Sequence, residues 1–277
     1  MSEANISTWV SDTKRLVSDT HVDLANARVA LLVTCLVDLF RPEVGFATIR
    51  LLEKAGFQVD VPAQGCCGQP NFNSGDRAGA AEMAAGIIER FSGYDYVVVP
   101  SGSCAAMLHV HYPALFETGS DAHRSAVELS GKTHELTAFL HDIAGMQTVD
   151  VHWPASVTYH DGCSGLRELG IREQPRTLLR SVAGLTLHEL SEPEACCGFG
   201  GLFCVKYPEV SARIVEAKTQ DVLATGAEIL VAGELGCLLQ IEGKLHRDGA
   251  HVKALHIAEV LAGAAEAPQG NDRDGND

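Results

Sequence analysis

The sequence has no apolar run near the roughly 20 residues that a membrane span requires. Its first 27 residues, MSEANISTWVSDTKRLVSDTHVDLANA, lack both the basic flank and the continuous apolar stretch of a secretory signal. Both absences point to a cytoplasmic chain with no transmembrane segment. No Lys/Arg stripe with interleaved aromatics occurs, and the formal net charge of −15 repels phosphate backbones, which excludes nucleic acid as a partner. There is no G-x-G-x-x-G fingerprint for FAD or NAD. GFGGLF, residues 198–203, has the glycines of a phosphate loop but neither its spacing nor its Lys-Ser/Thr pair. A dense C-x-x-C-x-x-C ferredoxin run is also missing. Any hydride transfer would therefore draw on a two-electron acceptor elsewhere.

The chain does have length for a packed core: 277 residues, 46% of them hydrophobic, suit one large domain or two ordinary ones. It also has nine cysteines, an odd number that leaves one unpaired in any disulfide scheme. In a reducing cytoplasm such a set points to metal or redox chemistry. From Arg28 onward, short β-branched runs alternate with amphipathic segments, the signature of parallel βαβ units. Strands are expected in RVALLVT (28–34), FQVDVP (57–62) and YDYVVVP (94–100), then again in SVTYH (156–160), LTLHEL (185–190), AEILVAG (227–233) and HVKALHI (251–257). Helices are expected over 43–56 and 76–91, and over 172–184 and 207–226. The fold class is α/β, with two pseudo-repeated Rossmann-like halves. The expected organisation is an N-terminal extension (1–27), a first cysteine-rich half (28–150), a second (151–265) and a disordered acidic tail (266–277).

The cysteines make the duplication quantitative. Cys35, Cys66, Cys67 and Cys104 recur as Cys163, Cys196, Cys197 and Cys237, at offsets of 128, 130, 130 and 133 residues. In each half the first follows the first strand, the Cys-Cys-Gly follows the second and the last follows the third. All eight are thus expected at the carboxyl ends of parallel strands, where open α/β sheets gather their binding sites. Four thiolates from three loops suit a tetrahedral zinc, an iron-sulfur cluster or, more simply, buried structural thiols. Adjacent cysteines favour a multi-iron object, since structural zinc pairs are usually two to four residues apart. Gly68 and Gly198 would let the backbone approach and donate N–H groups, and helices starting near Asp76 and Pro208 would aim positive dipole ends at an anionic cluster.

The wording VTCLVD (33–38), LLEKAGFQV (51–59), QGCCGQPNFNSG (64–75), SGSC (101–104), CCGFGGLFCVK (196–206) and VKALHIAEVL (252–261) resembles the lactate utilization protein A family. The doubled Cys-Cys-Gly resembles the cysteine-rich "CCG" domain found in heterodisulfide reductases and in the iron-sulfur subunits of glycolate oxidases. The resemblance implies an iron-sulfur subunit, with [4Fe-4S] clusters on the eight cysteines. It also implies two partner proteins, a ferredoxin-type iron-sulfur subunit and a third, in oxidising L-lactate to pyruvate. Glycolate or a disulfide is the alternative donor, and a zinc-stabilised scaffold the alternative of another class. The reductase relatives end each half in Cys-x-x-Cys, whereas this chain has Ser101 and Glu234 where the fifth thiols would stand, so these two are candidate oxygen ligands.

Other candidates lie beside the motifs. His160, in YHDGCSG with Asp161, can donate to a cluster sulfur, move a proton as a catalytic group or merely satisfy loop carbonyls. Cys204 has no counterpart in the first half and reads as a packed side chain or a redox-active thiol. Arg41, Arg77, Arg167 and Lys206 can offset cluster charge, hold a carboxylate or be ordinary surface charges.

Overall fold

The computed structural model describes residues 27–265; the expected tail and all of the expected N-terminal extension except Ala27 lie outside them. Two four-stranded, all-parallel sheets form the framework, in strand orders β2-β1-β3-β4 and β6-β5-β7-β8. The strands are β1 Arg28–Leu31, β2 Gln58–Asp60, β3 Tyr96–Val99, β4 Thr133–Glu135, β5 His152–His160, β6 Ala183–His188, β7 Ile229–Ala232 and β8 Lys253–His256. The two orders are the same permutation, so the repeat in the cysteines is also a repeat in topology. Each first strand sends its chain to one neighbour and later receives another on its opposite side. This places a switch point between β1 and β3, and another between β5 and β7.

The central strands are apolar because both faces are covered. Val97, Val98, Val99 and Leu230 to Ala232 are fully buried, and helices Pro42–Lys54, Arg77–Phe91, Pro208–Ala224 and Leu235–Arg247 pack beside them. Alternation along a strand then assigns faces. Val29 and Val98 lie in one apolar cluster with Val157 and Leu230 of the second sheet, while Ala30, Val97 and Val99 lie in another with Cys67 and Cys104. One core thus runs through both halves.

Four elements stand out against the sequence expectation. β4 is a three-residue edge strand, Thr-His-Glu, with no β-branched run to announce it. The helix expected over 172–184 spans Glu173–Arg180, because Ala183 and Gly184 already belong to β6, where Gly184 takes φ +85° against Pro154. Helices Asp121–Lys132 and Leu235–Arg247 were not anticipated. Among the described residues no helix is long and apolar enough to cross a membrane.

Candidate metal centre

Each switch point supplies helix N-termini as well as loops. Cys35 opens helix Cys35–Phe40 behind the Thr34 cap, and Cys163 opens helix Cys163–Arg167. Cys104 lies in the first turn of Gly102–Ala106, capped by Ser101, and Cys237 in the first turn of Leu235–Arg247. A sulfur near a helix N-terminus carries negative charge at lower cost. This brings the positive ends closer than the expected helices near Asp76 and Pro208, which do begin at Arg77 and Pro208.

The Cys-Cys-Gly loops complete the sets. In the first half the Cys67 and Cys104 sulfurs are 3.3 Å apart, and Cys35 and Cys67 lie close enough to Cys66 for their protonation to be linked. In the second, the Cys197 and Cys237 sulfurs are 3.0 Å apart, Cys196 lies close enough to Cys197 for their protonation to be linked, and Cys163 feels the charge of Cys196. The halves also share a gradient of exposure. Cys67, Cys104, Cys197 and Cys237 are buried, Cys35 and Cys66 half-buried, and Cys163 and Cys196 exposed. Gly68 and Gly198 adopt the same left-handed turn, φ +83° and +84°, and a Cβ on Gly198 would lie 2.8 Å from the Ser211 carbonyl oxygen. Their N–H groups donate to the Cys66 and Cys196 sulfurs, the latter at 3.2 Å.

Proximity makes the thiols compete for protons. Hydrogen bonds from Cys35 and Cys67 pull Cys66 well below the usual thiol range, while Cys35 is pushed up, first by its bond to Cys66 and then by burial. Burial and the charge of Cys196 raise Cys163, with Glu234 adding to the rise and Arg167 opposing it. Crowding of this kind opposes ionisation of all four thiols together, and a cation between them would favour it. The sets are suited to a metal ion or an iron-sulfur core, and His160 adds to the second. It is 1% exposed, neither ring nitrogen has a partner among the described residues, and a ring nitrogen lies with the Cys197 and Cys237 sulfurs inside a common 4.8 Å.

The remaining candidates have other partners. Ser101 Oγ donates to Glu234 Oε2 at 2.8 Å, and the Ser103 N–H donates to the same oxygen at 2.9 Å, a contact between the halves. Asp161 is held by Arg176 through two bonds of 2.9 and 2.8 Å. Cys204 donates to the Gly201 carbonyl at 3.3 Å. Arg41 spans the halves to Glu242 and the Ala254 carbonyl, and Arg77 bonds the Ala114 carbonyl. Arg167 bonds the Glu194 carbonyl and stays near Cys196; Lys206 is exposed.

Sequence reasoning did not single out Glu135, Gly102, Gly165 or Lys218. Glu135 ends β4, 4% exposed, and with Glu234 it lines a crevice between the halves. A Cβ on Gly102 would stand 2.9 Å from the Gly165 Cα, so the two short helices meet backbone to backbone. Lys218 is buried, with its ammonium on the Glu192 carbonyl at 2.7 Å and on Asp221 at 3.5 Å. A lysine inside an amphipathic helix gives no local signal of burial.

Comparison with known proteins agrees with this geometry. A family model described as a cysteine-rich domain, CCG, matches twice, over residues 29–109 and 157–242. Lactate utilization protein A of Oceanobacillus iheyensis is 43% identical over 235 residues, covering 84% of this chain and 96% of that protein. Lactate utilization protein A 2 of Bacillus mycoides is 44% identical, covering 84% and 98%. In fold, the crystal structure of a hypothetical protein from Helicobacter pylori is similar with a TM-score of 0.64 at 11% identity, over 95% of this chain and 55% of that one. With two matched cysteine-rich domains and relatives covered almost end to end, the chain belongs to the lactate utilization protein A family.

Proposed function

We propose that this chain is the iron-sulfur subunit of a cytoplasmic complex that oxidises L-lactate to pyruvate. The observation that carries the reading is the convergence of four thiols in each half, from three strand ends, in a chain 43% identical to a lactate utilization protein A. Cys35, Cys66, Cys67 and Cys104 would hold one centre in the half proposed to span residues 28–150. Cys163, Cys196, Cys197 and Cys237 would hold the other, in residues 151–265. A [4Fe-4S] core bound there supplies one-electron transfer.

The protein's own contribution is to hold the sulfurs and moderate their charge. Gly68 and Gly198 turn the backbone so that their N–H groups face the Cys66 and Cys196 sulfurs. The helix N-termini at Cys35, Cys163, Gly102 and Leu235, and the Arg167 guanidinium, oppose the accumulated negative charge. Exposed apolar side chains flank both sites: Leu39 and Phe40 follow Cys35, and Val205 and Tyr207 follow the second Cys-Cys-Gly. Such patches beside an electron-relay site support docking of two partners, a ferredoxin-type iron-sulfur protein and a third subunit, one of which would carry the two-electron step.

The test is anaerobic co-purification from lactate-grown cells, with iron, zinc and flavin measured for every subunit. A brown chain, bleached by dithionite and retained with two partners that oxidise L-lactate, is the expected result. Replacing Cys196 or Cys197 by Ala should remove iron and abolish lactate-dependent growth, and replacing Cys204 should do little. A colourless chain with stoichiometric zinc would make it a scaffold, and oxidation of glycolate or reduction of a disulfide in place of lactate oxidation would reassign the donor.

A further inference from the structure

His160 is the one polar side chain at the second site whose placement the eight cysteines leave unexplained. It ends β5, is 1% exposed, and among the described residues neither Nδ1 nor Nε2 has a hydrogen-bond partner. A buried polar group without a partner has given up its hydrogen bonds to water for nothing, and native structures rarely tolerate it. Its neighbours cannot orient it: the Asp161 carboxylate is bound bidentately by Arg176, and the Lys218 ammonium by Glu192 and Asp221. The ring nitrogen and the Cys197 and Cys237 sulfurs lie within 4.8 Å of one another. Donors around a single metal atom, with bonds of about 2.0–2.3 Å, stand at roughly that spacing or slightly closer.

The repeat gives a control inside the same chain. The residue three places before the first cysteine is His160 in the second half and Leu32 in the first. Leu32 is fully buried and lies in the apolar cluster with Cys67 and Cys104. One half fills this position with hydrocarbon; the other fills it with a nitrogen donor aimed at two buried thiols.

We infer that His160 is a nitrogen ligand of the metal centre in the second half, which makes the two centres chemically unlike, thiolate alone in the first and thiolate with imidazole in the second. The inference rests on the metal-centre reading above.

The experiment uses the full chain, purified anaerobically, as wild type and as His160→Leu, the residue the first half already accommodates at this position. Metal content is measured in both, and pulsed EPR of the dithionite-reduced protein reads nitrogen coupling to the cluster spin. Wild type grown on 15N-histidine shows whether a histidine supplies the coupled nitrogen, whether or not the variant folds. Expected is a histidine nitrogen coupling that changes with the isotope and is lost in His160→Leu, with the other centre's signal retained. Iron present without such a coupling, or with one that survives in His160→Leu, overturns the ligand and leaves the iron-sulfur reading standing. Zinc in place of iron, with a nitrogen scatterer in its X-ray absorption that disappears in His160→Leu, keeps the ligand and overturns the iron-sulfur reading. A chain that binds neither metal overturns both.

Discussion

Ser101 and Glu234 hold each other across the two halves, the hydroxyl donating to the carboxylate at 2.8 Å. Each stands three places before the last cysteine of its half. The positions that five-cysteine relatives give to thiols here bond to one another. Identical halves would oppose Ser to Ser or Glu to Glu, and two buried carboxylates repel; the contact exists because the halves have diverged.

Glu234→Ala leaves the Ser101 hydroxyl and the Ser103 N–H without their acceptor, so urea unfolding of the metal-free chain should show a loss of about 1–3 kcal/mol. Ser101→Ala, which also removes the cap of the Gly102–Ala106 helix, should lose about 1 kcal/mol. Both should keep wild-type iron content. Loss of one centre's iron from either would make that oxygen a ligand.

Stability should depend on pH through groups away from the thiols. Burial lifts Glu135 from 4.5 to about 7, and lowers His134 and His256 from 6.5 to about 4. The histidines bind fewer protons folded than unfolded, so their contribution is lost as pH falls from 6.5 through about 4. Glu135 binds more protons folded, so its contribution is lost as pH rises from 4.5 through about 7. Glu135→Gln should therefore steepen the rise in unfolding free energy between about pH 4.5 and 6.5, read by denaturant titration at each pH. An unchanged slope would place the Glu135 carboxyl at its ordinary value.

Thiol accessibility gives a third expectation. In the metal-free chain, iodoacetamide, which attacks the thiolate, should label Cys66 first because its thiol is pulled below the usual range, the exposed Cys163 and Cys196 next, and the four buried cysteines last, as followed by mass spectrometry. Iron loading should slow Cys66, Cys163 and Cys196 to the rate of the buried set. Equal labelling with and without iron would remove them from the ligand set.

The two loop glycines differ in what surrounds them. Alanine at either left-handed position costs about 1–2 kcal/mol in the backbone. At Gly198 the new methyl also meets the Ser211 carbonyl oxygen at 2.8 Å, whereas at Gly68 the nearest atom is Met83 Cβ at 3.3 Å. Thermal unfolding should rank Gly198→Ala below Gly68→Ala, and Gly198→Ala should lose iron from the second centre only.

The central strands were legible because their apolar runs are buried on both faces, and the more exposed edge strands β2 and β6 because they recur with the cysteine spacing. β4 was not, since Thr133, His134 and Glu135 are held in place by pairing with β3 and have no strand-like pattern of their own. Convergence of the thiols followed from topology, but the division into buried and exposed pairs did not. The Ser101 to Glu234 bond and the Gly102 to Gly165 approach depend on how the halves dock, which no local periodicity encodes. The contrast of His160 with Leu32 was present in the sequence, yet it acquired meaning only from an imidazole with no hydrogen-bond partner among the described residues.

Because Val29 and Val98 share their buried cluster with Val157 and Leu230, neither half keeps its inner face dry alone. The chain is therefore expected to unfold as one cooperative unit, in which a metal that binds only the folded form would stabilise both thiol sets at once. Filling either centre favours the fold that presents the other. The two sites are thus linked in loading through shared stability, with no change of shape required.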